Sequence, residues 1–525
     1  MNTRIVIYDT TLRDGSQTEG ISFSVNDKIK ITEKLDDLGV HYIEGGWPGS
    51  NPKDEEFFKV MRTKKLKFAK LAAFGSTRRA GIKPSDDINL KALVASKAPT
   101  VTIFGKSWDL HVTDIIKTTL DENLNMISDS VAFLKKNKLE VFYDAEHFFD
   151  GYKHNPQYAL KSVLAAQTAG ADCIIFCDTN GGTLPEEVAG IIEEIKSNFK
   201  VPMGIHTHND MDLAVANSLA AIDSGCTQVQ GTFNGLGERC GNADLCTIVG
   251  ILHTKLGRKS IPDAKVKNLM ETSYFLSEIS NIKLPDNHAF VGHSAFAHKG
   301  GVHIDAILKN PLAYEHIDPV LVGNHRRLLT SELAGKMPII LKAEQLGIKI
   351  DKKSPEAKEL LKSLQDKENE GYQFEAADAS FELFLRRHLK KMPNFFDLED
   401  FEVKTGKNKD GKVTAVAMVS LTINGKPLKS GNGTSDGPVG ALDSALRQAL
   451  NKFYPKIKEM HLSDYKVRVL NTKEGTAAKV RVLIESQDAH DSWTTVGVHA
   501  NIIEASWEAL VDSIEYKLLK DRSKK

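Results

Sequence analysis

The sequence predicts an α/β protein whose first half closes into a (β/α)8 barrel, followed by a mostly helical region and a smaller α+β domain. Three observations predict this. Residues 1–275 alternate short β-branched runs with longer amphipathic stretches. Polar and charged residues collect at the C-terminal ends of those runs. From about residue 391 the pattern changes to alternating strands, each group closed by a helix.

The expected strands are Arg4–Thr10, His41–Gly45, Phe68–Phe74, Thr100–Phe104, Glu140–Glu146, Cys173–Thr179, Met203–His208 and Gln228–Phe233. Between them the helical period appears at Asn26–Leu38, Leu120–Asn137, Pro156–Ala169, Pro185–Phe199 and Leu213–Ser224. Strict β/α alternation over this length fits a TIM barrel, typically ~250 residues. A doubly wound open sheet is the competing architecture. Against it, no Gly-x-Gly-x-x-Gly follows the first strand. The partial imitation Gly235-Leu-Gly237-Glu-Arg-Cys240-Gly241 follows the last one.

Residues 276–390 read as mostly helical, with a loop rich in glycine and histidine from Gly292 to His303. Its simplest role is to close over the barrel mouth. The charged segment Asp351–Gly371 reads as a solvated helical face. In residues 391–525 the clearest strands are Val413–Ile423 and Ala478–Ile484, and the helices are Val439–Phe453 and Ile502–Leu518. Leu442–Leu446 and Ser506–Leu510 sit at matching helical positions 64 residues apart, which suggests an internal duplication. Gly431-Asn-Gly433 and Asp436-Gly437 would form the turn before the first helix.

Lys+Arg and Asp+Glu both number 69, so the chain is neutral overall and nothing in its charge calls for nucleic acid or a membrane surface. No apolar run approaches the ~20 residues that span a bilayer. The N-terminus reads as a strand and not as a signal peptide. Five cysteines without a CxxC pair are expected to be reduced thiols, which fits a cytoplasmic protein.

A barrel gathers its chemistry at the C-terminal strand ends. There the sequence places Asp9, Arg13 and Asp14 after the first strand, Glu44 on the second, and Asp144 and Glu146 on the fifth. Asp178 and Thr179 end the sixth, and Glu238, Arg239 and Asn242 follow the eighth. On the seventh, His206 and His208 stand on one face, about 6.6 Å apart at a rise of ~3.3 Å per residue. Two converging imidazoles with carboxylates nearby are suited to a divalent metal ion.

The motifs Asp9-Thr-Thr-Leu-Arg-Asp-Gly15, His206-Thr-His208-Asn-Asp210, Gly237-Glu-Arg-Cys-Gly-Asn242 and Gly300-Gly-Val-His303 resemble a known family. It is the family of metal-dependent barrel enzymes that condense an acyl-CoA with a 2-keto acid, the isopropylmalate, homocitrate and citramalate synthases. The likeness runs almost the whole chain. The loop Tyr42-Ile-Glu-Gly-Gly-Trp-Pro-Gly-Ser-Asn-Pro52 resembles the members that take pyruvate and form citramalate. Isopropylmalate synthases, which take 2-ketoisovalerate, usually carry Gly-Phe-Pro there.

The resemblance implies Asp14, His206, His208 and Asn242 as ligands of Mg²⁺, Mn²⁺ or Zn²⁺. It implies Arg13 at the keto oxygen, Thr179 at the keto-acid carboxylate, and Glu44 in the same site. Asp144 would line the keto-acid pocket. Glu146 resembles the family's catalytic acid, and His303 with Tyr314 its second-domain pair, either of which could supply the base for acetyl-CoA. The C-terminal domain resembles a regulatory domain that binds the end-product amino acid, isoleucine for a pyruvate-using member, in a homodimer. A dimerisation domain without an effector is the alternative. A lyase on the same barrel is a further alternative, and the extra C-terminal domain argues against it. Three departures stand out: Ile304 follows His303 where relatives often have Gln, Asp144 stands where relatives vary between small, polar and aromatic types, and Cys240 stands where Thr or Ala is common.

Overall fold

The structure, a computed structural model, describes residues 4–329, 343, 354–374, 377–407, 409–430, 432–470, 478–489 and 491–523. The chain divides into two compact units, Met1–Phe296 with His316–Arg326, and Ala297–Glu315 with Arg327–Lys525.

In the first unit eight parallel strands close in sequence order. They are β1 (Val6–Asp9), β2 (Tyr42–Glu44), β3 (Lys70–Ser76), β4 (Thr100–Lys106), β5 (Glu140–Glu146), β6 (Cys173–Asp178), β7 (Met203–Thr207) and β8 (Gln228–Gly231). The closing pair is β8 with β1, in the register Val6↔Gln228. The expected barrel is therefore the one observed, and β5 spans the residues expected of it. The first strand stops short of its apolar run because the chain turns there: the amides of Arg13, Asp14 and Gly15 all donate to the Thr10 carbonyl.

The helices follow local signals. Helix α1 (Val25–Leu38) opens with a reciprocal cap, Ser24 Oγ accepting from the Asp27 amide and Asp27 accepting from the Ser24 amide. Helix α2 (Pro52–Met61) starts on an Asn51 cap with proline in its first turn. This short helix was not marked by periodicity.

Strand alternation sorts the side chains. On β5, Val141, Tyr143 and Ala145 join the core beneath the surrounding helices. Phe142 points the other way and packs with Tyr8, Ala72, Cys173, Ile175 and Cys177 inside the barrel. Tyr42 closes on the Phe142 ring with centroids 5.0 Å apart. The lower lumen is thus filled with apolar side chains. Asp144 and Glu146 share the Phe142 side of β5 and stand above that plug, toward the strand ends.

In the second unit β9 (Ala297–His298) pairs in parallel with β10 (Arg327–Leu328), and a helix spans Gly301–Lys309. Helices at Pro355–Glu370 and Asp378–His388 follow. Leu360, Leu364, Phe381 and Leu385 from these helices share a core with Val496 and Val498. Two antiparallel sheets complete the unit. One contains β11 (Asp397–Lys407), β12 (Val413–Ile423), β13 (Lys426–Lys429) and β14 (Gly433–Ser435). The other contains β15 (His461–Val469), β16 (Val480–Gln487) and β17 (Ser492–His499). Helices Pro438–Leu450 and Ile502–Ser523 bury their apolar faces in one core with the sheets.

The duplication suggested by the helices extends to the strands. Pairing shifts register between Leu398 and Asp400 in the first sheet and between Leu462 and Asp464 in the second, an offset of 64 residues. Gly433 lies against the Ala441 carbonyl and Gly497 against the Ala505 carbonyl, the same offset again. Each glycine lets a helix backbone sit directly on the sheet, because a Cβ would fall 2.4 Å from the first oxygen and 2.0 Å from the second. Gly431 and residues 351–353, which belong to the expected turn and charged helix, lie outside the described residues. Among the described residues no helix is long and apolar enough to cross a membrane.

Candidate active site at the barrel mouth

The loop after β1 delivers Arg13 and Asp14 to the mouth. Both are held closely. Arg13 Nε donates to Glu44 Oε1 at 2.6 Å and Nη1 to Asp14 Oδ2 at 3.0 Å. The guanidinium carbon lies 3.7 Å from the centroid of the Phe74 ring. Glu44 is fully buried and also accepts from the Tyr8 hydroxyl at 2.7 Å. Burial alone would weaken the Arg13 charge, but Glu44 and then Asp14 more than offset it and keep the guanidinium ionised.

His206, near the end of β7, lies beside Asp14, with Nε2 3.4 Å from Asp14 Oδ2. His208 Nε2 faces His206 Nε2 at 3.3 Å. Among the described residues, Asp14, His206 and His208 form the one group of three or more His, Cys, Asp or Glu side chains able to hold an ion, with ligand atoms all within 4.8 Å of one another. The fourth expected ligand comes from the loop after β8. An isolated antiparallel bridge pairs His208 with Asn242. Asn242 Nδ2 is committed to the Leu236 carbonyl at 3.0 Å, while its Oδ1 is buried without a partner. Gly241 makes this loop possible: its φ is +91° and a Cβ would fall 1.9 Å from the Gly235 carbonyl oxygen.

These residues fit a cation. Asp14 Oδ1 and Asn242 Oδ1 are buried and lack hydrogen-bond partners. Two imidazole nitrogens and a carboxylate oxygen converge within 4.8 Å of one another, where a cation could accept a lone pair from each. Burial favours a protonated Asp14, but Arg13 and His206 outweigh it and hold the carboxyl far below its usual range. Burial, reinforced by His206, lowers His208 to about 3 and leaves it neutral with a lone pair to give. Oxygen and imidazole donors together suit Mg²⁺, Mn²⁺ or Zn²⁺.

The remaining barrel residues are placed as follows. Asp144, on β5, accepts from Gln230 Nε2 at 3.0 Å, and burial raises its pKa to about 7. Glu146, at the end of β5, is ion-paired with Lys106 at the end of β4. Thr179, after β6, accepts from the His147 amide at 2.9 Å through its hydroxyl, which keeps its own proton to donate. Phe74 stacks on Phe104 with centroids 5.5 Å apart, and Trp47 meets both rings edge-on. A cavity of about 510 Å³ beside Arg13 is lined by Ser16, Gln17, Trp47, Asn51 and Lys53 among others.

His303 and Tyr314 belong to the second unit, where their rings stack with centroids 4.1 Å apart. The loop histidines have separate neighbours: His288 lies 3.7 Å from Asp244, and His298 is 3.3 Å from Glu315.

Lys106, Tyr8 and Gln230 were not singled out in the sequence. Their signal was strand parity: Lys106 follows Thr100, Thr102 and Phe104 at steps of two, and Gln230 follows Gln228.

Residues 4–276 match the HMGL-like family model, residues 290–369 the homocitrate synthase post-HMGL domain-like model, and residues 375–518 the LeuA allosteric (dimerisation) domain. The first unit is therefore an HMGL-like barrel. The chain is 54% identical over 523 residues to an (R)-citramalate synthase of Aquifex aeolicus, covering 99% of both chains. It is 54% identical over 517 residues to one of Geobacter sulfurreducens, covering 98% of both. A 2-isopropylmalate synthase of Methanocaldococcus jannaschii is 34% identical, with 99% of this chain and 96% of that one covered. The chain belongs to the (R)-citramalate synthase family.

Proposed function

We propose that the protein condenses acetyl-CoA with pyruvate and hydrolyses the thioester, giving (R)-citramalate and CoA on the route to isoleucine. The observation that carries this reading is the convergence of Asp14, His206 and His208 on one point beside Arg13. Asp14, His206, His208 and Asn242 would hold a divalent ion. When bound, that ion supplies a Lewis acid for the ketone of the keto acid.

The chain's own residues do the rest. Arg13, fixed by Glu44, Asp14 and Phe74, has N–H groups left over for the keto oxygen and for the negative charge that grows there. The Thr179 hydroxyl donates to the keto-acid carboxylate. The wall of Phe74, Phe104 and Trp47 beside Arg13 favours a small acceptor side group, which supports pyruvate over a branched keto acid. Acetyl-CoA enters through the cavity lined by Ser16, Gln17 and Lys53.

A base removes a proton from the acetyl methyl group, and the candidates are Glu146 and the His303–Tyr314 pair. The resulting carbanion attacks the ketone carbon. Water then cleaves the thioester, which makes the condensation irreversible. The second unit would bring two chains together and bind isoleucine as inhibitor.

The test is release of free CoA, read with a thiol reagent, from acetyl-CoA and a panel of keto acids. Release with pyruvate is expected. Release with 2-ketoisovalerate alone would move the reading to isopropylmalate formation, and release with neither would refute it.

A further inference from the structure

Gln230 has no role in the chemistry above, yet its side chain is fully buried at the centre of the site. It stands on β8 as the register partner of His206 on β7. Its two polar ends face opposite ways. Oε1 lies 3.0 Å from His206 Nδ1. Nε2 lies 3.0 Å from Asp144 Oδ1 on β5, a strand that pairs with β4 and β6 and not with β8, so the side chain reaches across the lumen.

The direction of this chain of bonds follows from its ends. At Asp144 the bond runs from Gln230 Nε2 to the carboxyl oxygen Oδ1. Gln230 therefore presents its NH₂ to Asp144 and its carbonyl oxygen to His206. A carbonyl oxygen also only accepts, so His206 donates through Nδ1–H. That leaves Nε2 as the nitrogen whose lone pair can face Asp14 and His208. A histidine that rotated, or carried its proton on Nε2 alone, would point an N–H at the place where a cation belongs.

We propose that Gln230 is a positioning residue that sets the tautomer and ring orientation of His206 for metal binding and ties that ligand to Asp144 in the keto-acid pocket. The amide suits both ends. It gives His206 an acceptor without adding a charge beside Asp144 and Glu44, two carboxyl groups already enclosed in the same lumen. The inference rests on the metal site of the proposed function.

The test is calorimetric titration of the metal-free full-length chain with Mn²⁺, alongside steady-state kinetics. Partners of this kind hold about 10–100-fold in metal affinity. Gln230→Met removes both bonds at nearly constant volume and should lose affinity in that range, with pyruvate KM raised as well. Gln230→Glu keeps an acceptor for Nδ1–H and removes the donor to Asp144. It should bind Mn²⁺ at least as tightly as the wild-type chain while pyruvate KM still rises. Thermal unfolding of each metal-free variant checks the fold, and Gln230→Asn, too short to reach both partners, replaces the Met variant if that one does not fold. Wild-type Mn²⁺ affinity in a folded Met or Asn variant would overturn the inference. So would an equal loss in the Glu variant, which would reduce Gln230 to a packing role. If the wild-type chain itself takes up no Mn²⁺, it is the metal-site reading that falls.

Discussion

The Nε2 atoms of His206 and His208 face each other across 3.3 Å, with Asp14 Oδ2 3.4 Å from the first of them. These three donor atoms are placed to share one divalent ion. Chelation should therefore abolish CoA release, and a divalent ion should restore it. His208→Ala should weaken Mn²⁺ binding by more than about 100-fold, beyond the usual cost of losing an outer partner. Calorimetric titration reads the affinity, and an unchanged melting curve without metal would show that the fold is intact.

Glu44 is the fixed point to which Arg13 is attached, and it is enclosed completely. Glu44→Gln keeps its shape but leaves the guanidinium short of a partner. Breaking a buried pair from one side costs about 3–5 kcal/mol, so chemical denaturation should show a loss of that order. Turnover should fall about 100-fold, because an electrostatic donor that is no longer held in place stabilises developing charge poorly. Intact stability together with full turnover would remove Glu44 from this role.

Phe104 stacks on Phe74, the ring that carries Arg13. Phe104→Ala should open space for a larger acceptor. Hydrophobic pockets discriminate by about 10–200-fold per methylene. The ratio of kcat/KM for 2-ketoisovalerate over pyruvate should rise at least about 10-fold. An unchanged ratio would place the acceptor side group elsewhere.

Asp9 is fully buried at the end of β1, and burial raises its pKa from 3.8 to about 7 against the opposing bonds from Thr11. The folded chain thus keeps a proton that the unfolded chain gives up between those values. Stability should fall as pH rises through that window and level off above it. The contribution is on the order of a few kcal/mol. Asp9→Asn should flatten this part of the urea-unfolding profile between pH 3.8 and about 7. A profile as steep as that of the unmodified chain would count against it.

Gly497 lies where a Cβ would meet the Ala505 carbonyl oxygen at 2.0 Å, backbone that a rotamer change cannot move aside. Gly497→Ala should lower the calorimetric transition of the second unit and leave the barrel's transition in place. The proposed inhibition of CoA release by isoleucine should weaken with it. Inhibition at full strength in a destabilised second unit would refute the regulatory assignment.

Much of the barrel was legible because its signals are local. The β5 run Glu140–Glu146 needs only its own β-branched and aromatic residues to declare itself, and the His206–His208 pair needs only the two-residue repeat of a strand. Short helices such as Pro52–Met61 escaped because so few turns give periodicity little to show. The strands β13 and β14 escaped because pairing with β12, and not their own composition, makes them strands.

By itself the sequence determined the strand and helix alternation, the closed parallel sheet it implies, the ligand-type residues at the strand ends, and the 64-residue repeat of the C-terminal half. The tertiary structure alone decided which of those residues meet. It set Asn242 against His208, Glu44 against Arg13, Lys106 against Glu146, and Gln230 between His206 and Asp144. The reason is physical. An element is chosen by interactions within a few residues, whereas these pairs join positions from 24 to 86 residues apart, or a strand to a distant loop, and exist only once the sheet has closed.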